Sequence, residues 1–328
     1  DGPSFNVVAV NPRDRTITLS NSAVTPSEIV VPLNQVYKVD TNGFASTFQR
    51  RQPWKDLHQL LIAPIVDLLP SNPDEKVFFI PQEQLFLVPF SALQADDTSY
   101  LIEHHTILTA PAIQVLQGAR TQADDLFQTG NMLIVGDPSP MPANLQPLPY
   151  AQNEAKQIAD LLNTQAMIGA RATEPNVQQA LSSARLIHLA THGFFNETNP
   201  LEGSLAFAPV DTNNPGPESD GFLTAAEILE SQLNADLVVL SACDTGRGQI
   251  TGDGVVGLSR SFLAAGAPSV MVSLWQVPDE ATSAMMVSFY KQLLAGKDNA
   301  HALRQAMLSM FENYPEPLNW AAFTLVGT

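Results

Sequence analysis

The stretch LVVLSACDTG (237–246) decides how this chain is expected to fold. Its first four residues are apolar without alternation, the pattern of a strand buried on both faces of a sheet. Ser241 and Ala242 lead to Cys243, the single cysteine of the chain, and Asp-Thr-Gly follows at once. Small polar residues there let the backbone turn sharply and open space above the sulfur. A second apolar run, ARLIHLATHG (184–193), ends in the same manner on His192 and Gly193, with His192 lying 51 residues before Cys243. Taken alone, Cys243 reads as a small core residue and His192 as a ring capping a strand end. Two such ends in one chain point instead to a nucleophile and a base presented at one sheet edge.

Outward from these runs, short apolar segments alternate with amphipathic ones. NMLIVGDPSP (131–140) is a strand ending in Gly-Asp-Pro, and LPYAQNEAKQIADLLN (148–163) is a helix with Ala155, Ile158, Ala159 and Leu162 on one face. A strand at 166–170, a helix at 174–183, a helix at 254–267 and the strand PSVMVSLW (268–275) follow the same rhythm. Helices at 279–295 and 299–313 and a last strand, AAFTLVG (321–327), close the chain. Such alternation implies an α/β fold with a mostly parallel sheet covered by helices on both faces. Ligands on such sheets bind beyond the C-terminal ends of the strands, where His192 and Cys243 fall.

Upstream, FNVVAV-NPRD-RTITLS (5–20) is a hairpin pattern, and EIVVPLNQVYKV (28–39) alternates as a strand does. Residues 53–69 read as a helix interrupted at Pro64, residues 76–93 as two strands around a short turn, and residues 101–119 as strand then helix. His104 and His105 would then point to opposite faces of a strand, and with no cysteine near them a zinc site is not expected. The division expected is an N-terminal, β-rich companion lobe at 1–125 and a main domain at 126–328. The polar segment DTNNPGPESDG (211–221) reads as a surface insertion.

The chain has 328 residues, 45% of them hydrophobic and 15% charged, enough to bury a sizeable core. Its net charge of −17 and lack of a basic cluster exclude a nucleic-acid binder. No run of eighteen apolar residues is present, so no membrane partner is expected. One cysteine allows no internal disulfide and suits a cytoplasmic location. The opening DGPSFNVVAV, without a start methionine or a signal pattern, reads as part of a longer protein. From Leu186 to Gly246 there are nine acids and no Lys or Arg, surroundings that favour a cationic substrate.

HLATHGFF (188–195), LVVLSACDTGRG (237–248) and GLSRSFLAAGAPSVMVSLWQVPD (257–279) together resemble the CHAT family. These are caspase-like cysteine peptidases of clan CD, commonly attached to tetratricopeptide repeats and related to separase. The resemblance is specific over 186–280, looser over 130–185 and 281–328, and weak over 1–125. It implies a His–Cys dyad, with Cys243 attacking the scissile carbonyl and His192 protonating the leaving amine. The backbone N–H groups of Gly193 and Cys243 would form the oxyanion hole. Asp279 would lie in a pocket for a P1 Arg or Lys, with Asp244 as the alternative acid and Trp275 as an apolar wall; the other readings are a helix N-cap for Asp279 and core for Trp275. Metacaspases carry an Asp two positions before the nucleophile, where this chain has Ser241. No cofactor and no metal are implied; the partners implied are a protein substrate and an upstream tetratricopeptide-repeat region or regulatory protein. The alternative is a catalytically latent caspase-like scaffold that signals by protein binding.

Overall fold

The structure, a computed structural model, describes residues 5–11, 16–24, 29, 52–112, 131–194, 199–210, 219–241, 252–275 and 277–328. Strands β1 (Phe5–Asn11) and β2 (Thr16–Val24) pair antiparallel as a hairpin, as their alternation dictates. The centre is an eight-stranded sheet built from β3 (Lys76–Phe79), β4 (Thr106–Thr109), β5 (Asn131–Pro138), β6 (Ala166–Gly169), β7 (Ala184–Ala190), β11 (Leu237–Leu240), β12 (Ser269–Ser273) and β13 (Phe323–Gly327). Their order is β3-β4-β13-β12-β11-β7-β5-β6. The five strands from β12 to β6 run parallel to one another. β13 turns antiparallel to β12, and β4 and β3 follow β13 in parallel. The segment 76–109 therefore extends the same sheet that carries the His192 strand.

The eight helices among the described residues are α1 (Gln52–Leu61), α2 (Leu101–His104), α3 (Pro149–Leu161), α4 (Glu174–Leu181), α5 (Ala225–Glu230), α6 (Gly252–Ala264), α7 (Asp279–Leu294) and α8 (Asn299–Met310). The crossover from β5 to β6 runs toward one edge of the sheet, and the steps from β6 to β7, β11 and β12 run back. Right-handed connections then place α3 on one face and α4, α5 and α6 on the other. α7 packs against α3 and α8, completing the first layer. The apolar face expected of α3 is buried as read: Ala155, Ile158, Ala159 and Leu162 all lie in the core. Gly136 permits the close approach of α3 to β5, because a Cβ there would sit 2.4 Å from the Ala151 carbonyl oxygen and 2.5 Å from Ala155 Cβ.

Upstream the outcome differs in two places. The expected strand after residue 81 is instead a pair of 3₁₀ turns, Glu83–Leu87 and Phe90–Ala92. Pro81 and Pro89 withhold the N–H groups a central strand needs. His104 ends α2 and His105 links it to β4, so the two do not share a strand. Short 3₁₀ structure at Ala63–Leu68 follows α1, with Pro64 in its first turn, close to where the interruption is expected. The expected strand at 28–39, apart from Ile29, and the expected helix after residue 112 fall outside the described residues. No helix among the described residues is long and apolar enough to cross a membrane.

Candidate active site

β7 and β11 are neighbours, with Leu237 opposite Leu186 and Leu240 opposite Leu189. Because both strands run parallel, their C-terminal ends open on the same edge. Thr191 and His192 leave β7 there, and Ser241 leaves β11. His192 follows Leu189 by three residues, as Cys243 follows Leu240. Cys243 and Asp244 themselves lie outside the described residues.

His192 is buried, with 1% of its surface exposed, and its Nε2 lies 2.7 Å from the Gln146 carbonyl oxygen. A carbonyl only accepts, so Nε2 carries a hydrogen. Its main chain is pinned as well. The His192 carbonyl accepts from Ala206 N at 2.9 Å, and the Thr191 hydroxyl donates to the Ala206 carbonyl. Gly193 begins β8 (Gly193–Phe194), which pairs with β9 (Ser204–Ala206) and, through it, β10 (Phe222–Thr224), in a small sheet over this edge.

At the end of β12, Trp275 is buried and its indole N–H donates to the Leu318 carbonyl at 3.0 Å, so the ring is built into the core. Asp279 is exposed and occupies the first position of α7, while Pro278 holds the N-cap position. The cap role expected of Asp279 therefore falls to Pro278, whose carbonyl accepts from Thr282 N at 3.0 Å. The Asp279 charge instead meets the positive end of the α7 dipole. Gathered on one edge are thus His192, Gly193, Ser241, Trp275 and Asp279. Ser241, at the position where metacaspases carry an acid, is buried, and its Oγ has no hydrogen-bond partner among the described residues.

His188, four residues before His192, is a core residue as expected. Its Nδ1 lies 3.0 Å from the Tyr290 hydroxyl, and its Nε2 lies 2.9 Å from Glu154 Oε1, in ion-pair range though off the line of a hydrogen bond. All three side chains are buried. Burial, then the Glu154 charge, hold the Tyr290 hydroxyl well above its ordinary range, so it stays a neutral donor toward Nδ1.

The acid-only stretch is less uniform in space than in sequence. Asp236 is paired with Arg185, one residue outside it, and Glu227 closes a capping box with Thr224 at the start of α5. Glu174, outside the stretch, is fully buried beside Asp220 and Glu227, and one of its oxygens accepts from Gly221 N at 2.7 Å. Burial raises its pKa to about 7, with Glu227 and Asp220 adding to the effect. The folded state then binds this proton more tightly than the unfolded chain, so stability falls as pH rises from the ordinary carboxylate range through about 7. Glu174→Gln is expected to flatten that loss, which is at most on the order of 3 kcal/mol for one such group. Urea unfolding at pH 5 and pH 8 checks it: an unchanged pH slope in the variant would show that Glu174 is not the titrating group. No group of three or more His, Cys, Asp or Glu side chains among the described residues is arranged to hold a metal ion.

Sequence reasoning missed Gln146, since its contribution is a backbone carbonyl, which every residue type carries. The fold and this edge define a caspase-like α/β domain. A family model described as CHAT domain matches residues 51–328, and the chain belongs to that family. Tetratricopeptide repeat protein 28 of Mus musculus is 30% identical over 335 residues, covering 86% of this chain and 14% of that protein. Its Homo sapiens counterpart is 30% identical over 340 residues, covering 88% of this chain and 14% of that protein. The chain thus spans about one seventh of the length of these relatives. Among solved structures, a chain of the Saccharomyces cerevisiae separase–securin complex shares the fold with a TM-score of 0.52 at 14% identity, over 97% of this chain and 21% of that one.

Proposed function

We propose that the chain is a cysteine endopeptidase domain that cleaves protein substrates after a basic residue. The observation that supports this best is the matched register of two parallel strand ends. His192 and Cys243 stand at equal counts beyond the paired residues Leu189 and Leu240, and adjacent strands lie about 4.8 Å apart. In this reading Cys243 Sγ attacks the scissile carbonyl carbon, and the carbonyl π pair moves onto oxygen. The backbone N–H groups of Gly193 and Cys243 stabilise that oxyanion, each by about 3 kcal/mol. His192 Nδ1, having taken the Cys243 thiol proton, gives it to the leaving amine as the C–N bond breaks and the oxyanion pair re-forms the carbonyl, and water then releases the acyl group from Sγ. Asp279, exposed at the start of α7, and Asp244 are the acids offered to a P1 guanidinium or ammonium, with Trp275 as an apolar wall. The proposed division is a companion lobe at 1–125 and a catalytic domain at 126–328, with β3 and β4 of the former supporting the site through the shared sheet. A tetratricopeptide-repeat region, as the relatives' names describe, would select the substrate in the whole protein.

The burial of His192 gives weight to a second reading, a latent scaffold that acts by binding. An acyloxymethyl ketone carrying P1 Arg separates the two. Covalent labelling at Cys243, competed by an Arg peptide and weaker with P1 Glu, is the expected result. Failure to label in the whole protein with its partner present would favour the scaffold.

A further inference from the structure

The Gly-Asp-Pro that ends β5 holds a side chain the mechanism above has not used. Asp137 is buried, and its backbone adopts φ 47°, a conformation Asp tolerates better than most residues. Its Oδ1 accepts from Leu148 N at 2.7 Å, and its Oδ2 lies 3.4 Å from Gln152 Nε2. Leu148 is the N-cap residue of α3 and contributes no side-chain cap of its own; Pro149 follows it. Two residues earlier, the Gln146 carbonyl meets His192 Nε2 at 2.7 Å. One carboxylate, fixed in the core at the end of β5, therefore holds the peptide segment that in turn holds the imidazole. The segment is also tethered by Leu145 N to the Pro142 carbonyl and by Gln152 N to the Leu148 carbonyl, both at 3.1 Å.

We propose that Asp137 is a positioning residue for His192: by gripping Leu148 N–H it sets the Gln146 carbonyl against Nε2, and so fixes the ring with Nδ1 toward the substrate. Asp137 touches neither substrate nor reacting atoms. The proposal rests on the endopeptidase reading for its kinetic consequence, but the ring state it predicts does not depend on cleavage. Capping α3 is the same bond seen from the helix, so a loss of stability alone does not discriminate between the two roles.

The test uses the whole protein with ¹⁵N-labelled histidine, the His192 resonances being assigned with a His192→Gln variant. In the native protein at neutral pH the ring is expected as the Nε2–H form. Asp137→Ala is expected to shift it toward a mixture of the two tautomers, and Asp137→Asn, which keeps an acceptor oxygen for Leu148 N–H, to restore it. Where cleavage is measured, Asp137→Ala should lower kcat by about 10- to 100-fold, since an interaction made in the transition state is lost, with KM changed less than about twofold. Its kcat/KM pH profile should also move, because the Gln146 carbonyl is no longer held against Nε2. Asp298→Ala serves as the control for stability. It removes the N-cap of α8, where Asp298 Oδ1 accepts from Ala300 N and His301 N, and is expected to leave the pH profile unmoved. The proposal is overturned if the tautomer is the same in Asp137→Ala as in the native protein, or if Asp298→Ala moves the profile equally. Absence of any cleavage by the native protein, with the tautomer shift present, would sink the endopeptidase reading and leave the positioning role standing.

Discussion

Replacing Cys243 with alanine is expected to lower kcat on a basic-P1 peptide on the order of 10⁶-fold, to background, because no other thiol exists in the chain. The size follows from the two-step route: without the sulfur there is no acyl-enzyme, and one difficult hydrolysis replaces two easier steps. His192→Ala should cost less, about 10²- to 10⁴-fold, since the thiol remains and only its proton partner is lost. The two substitutions act on one unit, so the double variant is expected to be no worse than Cys243→Ala alone. Burst and steady-state kinetics on all three variants check this. Additive losses would mean that His192 and Cys243 do not share a reaction, and retention of activity in Cys243→Ala would end the peptidase reading. His192→Ala removes a buried side chain and its bond to the Gln146 carbonyl, so its unfolding midpoint is expected to fall, and the kinetic comparison is made at a temperature where every variant is folded.

The largest expected loss of stability lies elsewhere, at Glu154→Ala. Glu154, His188 and Tyr290 tie α3, β7 and α7 together in a site without water access. Removing one member of a buried polar pair leaves the other desolvated and unanswered, at about 3–5 kcal/mol. Tyr290→Phe removes only the hydroxyl facing Nδ1 and should cost about 1–3 kcal/mol. Glu154→Leu, of similar volume, is expected to be milder than Ala on the packing side while still stranding His188 Nε2. Urea unfolding at neutral pH ranks the three. If Glu154→Ala proved no worse than an exposed control such as Asp160→Ala, the three buried groups would not be acting as a network.

Much of this was legible before any coordinates. A run such as LVVL, apolar without alternation, has no solvent-facing side, so it must lie inside a sheet covered on both faces. The repeated alternation of such runs with helices fixed the class of the fold, and the period of Ala155, Ile158, Ala159 and Leu162 identified the buried face of α3. The strand ends at His192 and after Leu240 could be marked as sites because polar residues interrupt apolar runs there. The segment around Pro89 reads as a second strand because its apolar content matches one, and only the missing ladder partners turn it into 3₁₀ structure. The N-cap of α7 shifted to Pro278 because cap identity depends on backbone angles, which Asp-Glu and Pro-Asp sequences both permit.

The sequence by itself determined the fold class, the membership in the CHAT family and the pair His192 and Cys243 as the residues to examine. Tertiary structure alone decided which groups surround His192. The register of β7 on β11, the Gln146 carbonyl against Nε2, and the Asp137 grip on Leu148 each join separate segments through at least one backbone atom. Backbone N–H and C=O groups are the same in every residue, so no pattern of side chains announces where they will converge. Sequence names the side chains that carry chemistry; packing decides which main-chain groups orient them.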